Sequence, residues 1–284
     1  MNALNAYQQR AEAALEHAVP NDCGQLSEAM RYATLGGGKR LRAALVYACA
    51  ADFSVSDSDS DPAAAAVEFI HAYSLAHDDL PAMDDDDLRR GKPSLHKAFD
   101  EATAILAGDA LNTLAFTLLT HAPLPSAIAL RQIRRLGEAS GGMIYGQMLD
   151  MAHTGQKPDL AAIQHIHTHK TGDLLNACLH LGALPSPDYD AHKQALEAIG
   201  KAIGIAYQIA DDVLDATVDS AQLGKTAGKD SAQGKNTYPA LLGLEASRDE
   251  AAKQFDLALE RCKQLPNQGA HLAALIALIA KRDH

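Results

Sequence analysis

The chain has 284 residues and a formal charge of −11, which excludes nucleic acid as a partner, because a phosphate backbone is bound through net basic surface. Hydrophobic residues make up 47% with no Trp, and few β-branched runs occur, so composition favours helix over strand and an all-α fold. Cys23, Cys49, Cys178 and Cys262 stand far apart with no C-x-x-C pair; this argues against a zinc site or disulfide framework and for reduced thiols in a cytoplasmic protein. The first residues lack the order of a signal peptide, and no uncharged apolar run approaches the roughly 20 residues of a membrane span, so stable membrane insertion is not expected.

Apolar residues recur at spacings of three and four through about 2–19, 24–35, 40–53, 62–79, 100–120, 124–151, 159–182, 188–214, 247–264 and 270–282, which predicts that many helices. No stretch between them reads as an interdomain linker, so one domain over 1–284 is expected. After the second helix comes Gly36-Gly37-Gly38-Lys39-Arg40-Leu41-Arg42, which offers backbone N–H groups with Lys39 and Arg42 near a helix start, an anion-binding arrangement. Asp57, Asp59, Asp61 and Glu68 occupy the acidic positions of a calcium-binding EF-hand loop, but Pro62 stands where that loop needs Gly. The better reading is a solvated loop with Asp61 as N-cap and Pro62 at the first helical position.

The fourth helix runs into residues 77–93, which hold six carboxylates, two guanidiniums and an ammonium. Like charges 4 Å apart repel by about 4 kcal/mol at an effective dielectric near 20, so carboxylates gathered in a cleft call for a cation. Oxygen ligands suit Mg²⁺, which commonly joins one or two carboxylates to substrate phosphates; Arg89 and Arg90 fit as further phosphate ligands. Farther on, His165 and His169 are four apart but have no third ligand nearby, and read as a polar helix face. The apolar run 198–210 ends in Asp211, Asp212 and Asp215, and the i, i+4 spacing of Asp211 and Asp215 puts both on one helical face. The long loop 216–237 carries Lys225, Lys229 and Lys235 among glycines and is suited to close over a bound phosphate. The chain thus offers one carboxylate site for metal-borne phosphate and a second, metal-free one from Lys39, Arg42, His71 and Arg90, as two diphosphate substrates would require.

Asp78-Asp79-x-x-x-x-Asp84 and Asp211-Asp212-x-x-Asp215, with Gly-Gly-Gly-Lys-Arg-Leu-Arg, Lys170-Thr171-Gly172 and Gly224-Lys225, resemble the trans-isoprenyl diphosphate synthase (polyprenyl synthetase) family, most closely its bacterial farnesyl-forming branch. The resemblance spans about residues 28–245 in the family's order. It implies a single large helical bundle around a deep central cavity, usually as a homodimer. It further implies three Mg²⁺, with Asp78 and Asp84 holding two, Asp211 a third, and Asp79 and Asp215 supporting through waters. Arg89, Lys170 and Lys225 would meet the allylic diphosphate, with Lys235 as a further substrate contact, and isopentenyl diphosphate would occupy the Lys39, Arg42, His71 and Arg90 site. Thr171 and Gln208 would soften the allylic cation; Gln147 and Asp150 match a Gly-Gln-x-x-Asp of less certain role; Asp85, Asp86 and Asp87 receive none. Tyr73 and Ser74, one helical turn upstream of Asp78, would floor the cavity and stop elongation at fifteen carbons. A non-catalytic subunit, a one-substrate terpene synthase, and geranyl or geranylgeranyl synthases are the rival readings.

Overall fold

The computed structural model describes residues 3–156, 158–217 and 237–281; Lys225, Lys229 and Lys235 lie outside them. In chain order come α1 (Ala3–Ala18), α2 (Gln25–Leu35), α3 (Leu41–Asp52), α4 (Asp57–Asp78), β1 (Leu88–Arg89), β2 (Lys92–Pro93), α5 (Leu95–Ala98), α6 (Glu101–Thr120) and α7 (Ser126–His153). Then follow α8 (Leu160–His167), a π-helical turn (Thr168–Gly172), α9 (Asp173–Ala183), α10 (Tyr189–Thr217), α11 (Tyr238–Leu242), α12 (Leu244–Cys262), a 3₁₀ turn (Pro266–Gly269) and α13 (Ala270–Ala280). The fold is all-α apart from one minimal hairpin.

The centre is α9, whose residues Leu174–Ala183 are all buried, as expected of a helix apolar all round. It packs against α3, α4, α7 and α10, and one cluster of buried side chains runs from Leu4 in α1 to Ile279 in α13. Two of these helices deliver acids to the site. The last residue of α4 is Asp78, and Asp211 and Asp215 fall in the final turns of α10. Carboxylates at helix C-termini face the negative end of the macrodipole, so both motifs sit where a cation is most needed.

Two expectations are corrected, and that of no uncharged apolar run near membrane length stands. Helix α4 begins at Asp57, capped by Ser56, so Asp61 is not its N-cap and Pro62 lies inside it. The early start is held by Arg10, which bonds Asp57 at 2.7 Å and Asp61 at 2.8 Å; Tyr47 adds a 2.9 Å bond to Asp61. Glu68 is buried, accepting the Ala43 N–H at 3.1 Å, so these acids build no calcium loop. The predicted helix 159–182 is divided by the π turn, and α11 precedes the predicted start at 247. Finally, α6 is long and apolar enough to cross a membrane by length and composition. It carries Asp109 and packs against α2, α4 and α7 as a member of the bundle.

The C-terminal helix is tied to the core by one carboxylate. Asp52, at the end of α3, accepts the N–H groups of His271 at 3.0 Å and Leu272 at 2.9 Å, satisfying two of the orphan donors that start α13. Asp52→Ala would leave both donors unpaired, the Leu272 N–H in a buried position. We expect a loss of about 2 kcal/mol in urea unfolding, the cost of stranding buried polar groups.

Candidate diphosphate and metal site

The acidic loop after α4 folds back through backbone bonds from Asp84 N–H to Asp78 O (2.8 Å) and Asp86 N–H to Asp79 O (3.2 Å). It leads into the β1–β2 hairpin, where Leu88 faces Pro93 and Arg89 faces Lys92. Both turn residues, Arg90 (φ 55°) and Gly91 (φ 74°), are left-handed, as a type I′ turn demands. The hairpin sends its two arginines apart. Arg89 grips Asp79 through Nε at 3.1 and 3.2 Å and again through Nη2, and reaches Asp86 at 3.3 Å. The resemblance implies Asp79 as a water-mediated support for Mg²⁺ and Arg89 as an allylic diphosphate contact; in the structure they hold each other, and Asp79 is only 1% exposed.

Arg90 turns the other way, to the glycine loop, where its Nη1 donates to Gly37 O. A Cβ at Gly38 would lie 2.9 Å from the Arg90 Cζ, so the loop must be bare there. Arg40, which the sequence reading passes over, is the buried anchor of this loop: it bonds Glu12 at 2.7 Å, Thr34 O at 2.6 Å and Glu68 at 3.4 Å. Lys39 is exposed, and only its carbonyl is engaged, by Gln8 at 2.8 Å. The buried Arg42 Nε has no hydrogen-bond partner among the described residues. Burial and the guanidiniums of Arg42, Arg90, Arg89 and Arg40 push the His71 imidazole well below its usual value. Arg40 and Arg89 are already paired with carboxylates, so among the described residues Arg42 and Arg90 are the cations of this group left to meet an anion.

Between the two Asp motifs stands the π turn. Its Lys170 bonds Asp150 of α7 at 2.6 Å, which gives the Gly-Gln-x-x-Asp acid a definite partner. Thr171 Oγ1 donates to Gln208 Oε1 at 2.9 Å, Gln208 Nε2 donates to Asp212 at 3.0 Å, and Asp212 accepts the Tyr238 N–H at 3.1 Å. Asp212 was invisible as a separate role in the sequence. It anchors the chain where it re-enters after residues 218–236. Gln147 is buried, and neither amide atom has a hydrogen-bond partner among the described residues.

The carboxylates suit a cation. Burial first, then neighbouring Asp84, raise Asp78 to about 6 despite the opposing Lys170 charge. Among the described residues no three acidic or imidazole groups converge tightly enough to hold an ion unaided. This matches a hard cation that draws its remaining ligands from water and substrate phosphate. Asp85 and Asp87 are exposed, and Lys97 bonds Asp87 at 2.9 Å. Tyr73 is buried in α4, with its ring edge-on to His77 at 5.7 Å, while Ser74 bonds the His71 carbonyl at 2.9 Å. Lys225 and Lys235 lie outside the described residues.

Known proteins resemble the whole chain. Farnesyl diphosphate synthase of Escherichia coli is 49% identical over 257 residues, covering 88% of this chain and 86% of that protein. Chloroplastic geranylgeranyl pyrophosphate synthase of Catharanthus roseus is 43% identical over 92% of this chain and 74% of its own length. The structure of a Helicobacter pylori geranyltransferase complexed with magnesium and isoprenyl diphosphate superposes with TM-score 0.87 at 34% identity, over 99% of this chain and 98% of that one. A sequence model described as polyprenyl synthetase matches residues 24–277, which takes in both aspartate motifs, the glycine loop and the π turn. The chain belongs to the polyprenyl synthetase family.

Proposed function

We propose that the chain is a farnesyl diphosphate synthase, condensing isopentenyl diphosphate head to tail with dimethylallyl and then geranyl diphosphate. One observation carries this reading. His71 and Asp78 lie seven residues apart on α4, two turns or about 10 Å along one face, yet one sits among four guanidiniums and the other among carboxylates. A single helix face thus offers a metal-free anion site beside a cation-requiring one, which suits two diphosphates whose carbon ends must meet. A one-substrate enzyme has no use for the first site, and a non-catalytic subunit has no use for the second.

Asp78, Asp84 and Asp211 would hold Mg²⁺, three ions per site, with Asp215 supporting and Asp79 positioning Arg89. Bound Mg²⁺ supplies neutralisation of the charge that grows on the diphosphate leaving group. Lys170 and Lys225 would add cationic charge for the same oxygens, an electrostatic contribution to leaving-group stabilisation. Arg42, Arg90, Lys39 and His71 fix isopentenyl diphosphate so that its double bond faces the allylic carbon. Thr171 and Gln208 turn their dipoles toward the positive carbon, and residues that exclude water protect it from hydrolysis. No side-chain base is assigned; released diphosphate takes the final proton.

We further place the protein in the cytoplasm, where the buried, unpaired Cys49, Cys178 and Cys262 stay reduced, as one catalytic domain over 1–284. A homodimer is supported by exposed apolar side chains on neighbouring helices: Ile105 and Leu106 of α6 with Ile144, Tyr145 and Met148 of α7. Large exposed apolar patches usually mark an interface.

Incubation with dimethylallyl diphosphate, labelled isopentenyl diphosphate and Mg²⁺ should yield a fifteen-carbon diphosphate; absence of any elongated product would sink the reading. Tyr73 sets the stop. Tyr73→Ala removes a buried ring from below Asp78, and its products should shift to twenty carbons or more on chromatography. A variant that still releases only the fifteen-carbon product removes Tyr73 from this role.

A further inference from the structure

Away from the diphosphate site, α7, α9 and α10 enclose a cleft of about 450 Å³, within the range of small-molecule sites. Its wall is basic on a chain of charge −11: Arg131, Arg134, Arg135 and Lys193 line it against only Glu138 and Glu197. Arg135 lies fifteen residues from Asp150 on α7, roughly 22 Å along the helix. The cleft is therefore no extension of the diphosphate site.

Two acids, one lining the cleft and one at its rim, are paired with its bases, Glu197 with Arg135 and Asp190 with both Arg131 and Lys193. Glu197 meets Arg135 at 3.2 Å, His180 at 3.3 Å and Lys201 at 3.3 Å. Asp190 at the rim takes Arg131 at 2.7 Å. Arg135 still keeps a buried Nε–H with no hydrogen-bond partner, and Arg134 has no ion pair among the described residues. Leu184 and Tyr189, both largely buried, form the apolar and aromatic part of its lining. The Arg131 guanidinium lies 4.8 Å from the Tyr189 ring centre. Tyr189 itself is fixed by a 2.8 Å hydrogen bond between its hydroxyl and His180 Nδ1.

We infer that this cleft binds a small organic phosphate monoester without metal, its phosphate on Arg134, Lys193 and the Arg135 Nε–H and its apolar part against Leu184 and Tyr189. Guanidinium donors match phosphate oxygens in geometry and charge, and the apolar lining selects an ester over the bare ion.

Phenyl phosphate is the probe, titrated calorimetrically into full-length protein whose active sites are saturated with isopentenyl diphosphate, Mg²⁺ and an unreactive thiolo analogue of dimethylallyl diphosphate. We expect one site per chain, unchanged in Arg42→Ala and weakened about tenfold in Arg135→Met, the effect of losing one charge-assisted bond. Because Arg135→Met also breaks the contact with Glu197, Lys193→Glu provides a second variant: its side chain is 56% exposed, so it should fold and turn over like the parent while losing the probe. Absence of heat with filled active sites overturns the inference. So does phenyl phosphate binding that survives both variants, or inorganic phosphate that binds as tightly as the ester.

Discussion

Asp78→Asn is expected to lower kcat by about three to four orders of magnitude while leaving the metal-free protein folded and more stable. The loss follows from removing a charge proposed to hold Mg²⁺ on the leaving group, several kcal/mol of transition-state stabilisation at a tenfold rate change per 1.36 kcal/mol. The gain follows from the same burial that raises the Asp78 carboxyl to about 6. A group whose folded-state pKa is raised contributes stability below its unfolded value near 3.9 and loses it as pH climbs through about 6, so at neutral pH the ionised form burdens the empty site. The neutral amide relieves up to about 3 kcal/mol of that burden, two pKa units at 1.36 kcal/mol each. The stability difference between variant and parent should close as pH falls below about 4, since the parent is then protonated too. In the parent, activity at limiting Mg²⁺ should fall as pH drops through 6, and added Mg²⁺ should move that limb to lower pH by competing with the proton. Steady-state kinetics and thermal unfolding without metal check both halves. An inactive variant that also melts lower would mean that Asp78 supports the fold rather than the chemistry.

The same division between chemistry and support marks what was legible in the sequence. The aspartate motifs, Arg42 and His71 could be read because each belongs to a short string on one turn or one helix face, and local spacing carries the message. Arg40 and Arg42 look alike in sequence. Only the folded chain separates them, by bringing Glu12 and Glu68 against Arg40 and leaving the Arg42 Nε without a partner. Similarly, Asp57 reads as a loop acid and Asp61 as an N-cap because Arg10, which pins both into the start of α4, is far away in sequence. The hairpin escaped because two residues per strand are too few to show alternation. The π turn escaped because its cause lies on other helices.

Gly146→Ala tests that cause, and we expect it to lose about 1–3 kcal/mol of stability, the usual range for overpacking, together with about a hundredfold in kcat. A Cβ at residue 146 of α7 would lie 2.1 Å from the Lys170 N, 2.5 Å from its Cα and 2.7 Å from the His169 carbonyl carbon. All three are backbone atoms, so no side chain can rotate away. The other flank offers little room, since a Cβ at Gly204 of α10 would lie 2.7 Å from the Gly172 Cα. The π turn is therefore clamped between glycines on two helices, a placement consistent with π segments gathering at functional sites. Alanine would gain up to about 1 kcal/mol of helix propensity at an interior position, too little to offset such a clash. Relief requires the turn to move, and it carries both Lys170, bonded to Asp150, and Thr171, bonded to Gln208. A displacement near 1 Å at positioned catalytic groups costs on the order of a hundredfold in rate. Gly142→Ala, one turn earlier, supplies the control: its Cβ would meet the Asp173 carboxylate at 2.1 Å, a side chain that can swing aside by giving up its 2.8 Å bond to His169. Urea unfolding and single-turnover kinetics should therefore separate two alanine substitutions on the same helix, mild at 142 and severe at 146. Equal effects at both would show that the turn yields as readily as a side chain, and that the glycine clamp does not set the position of Lys170.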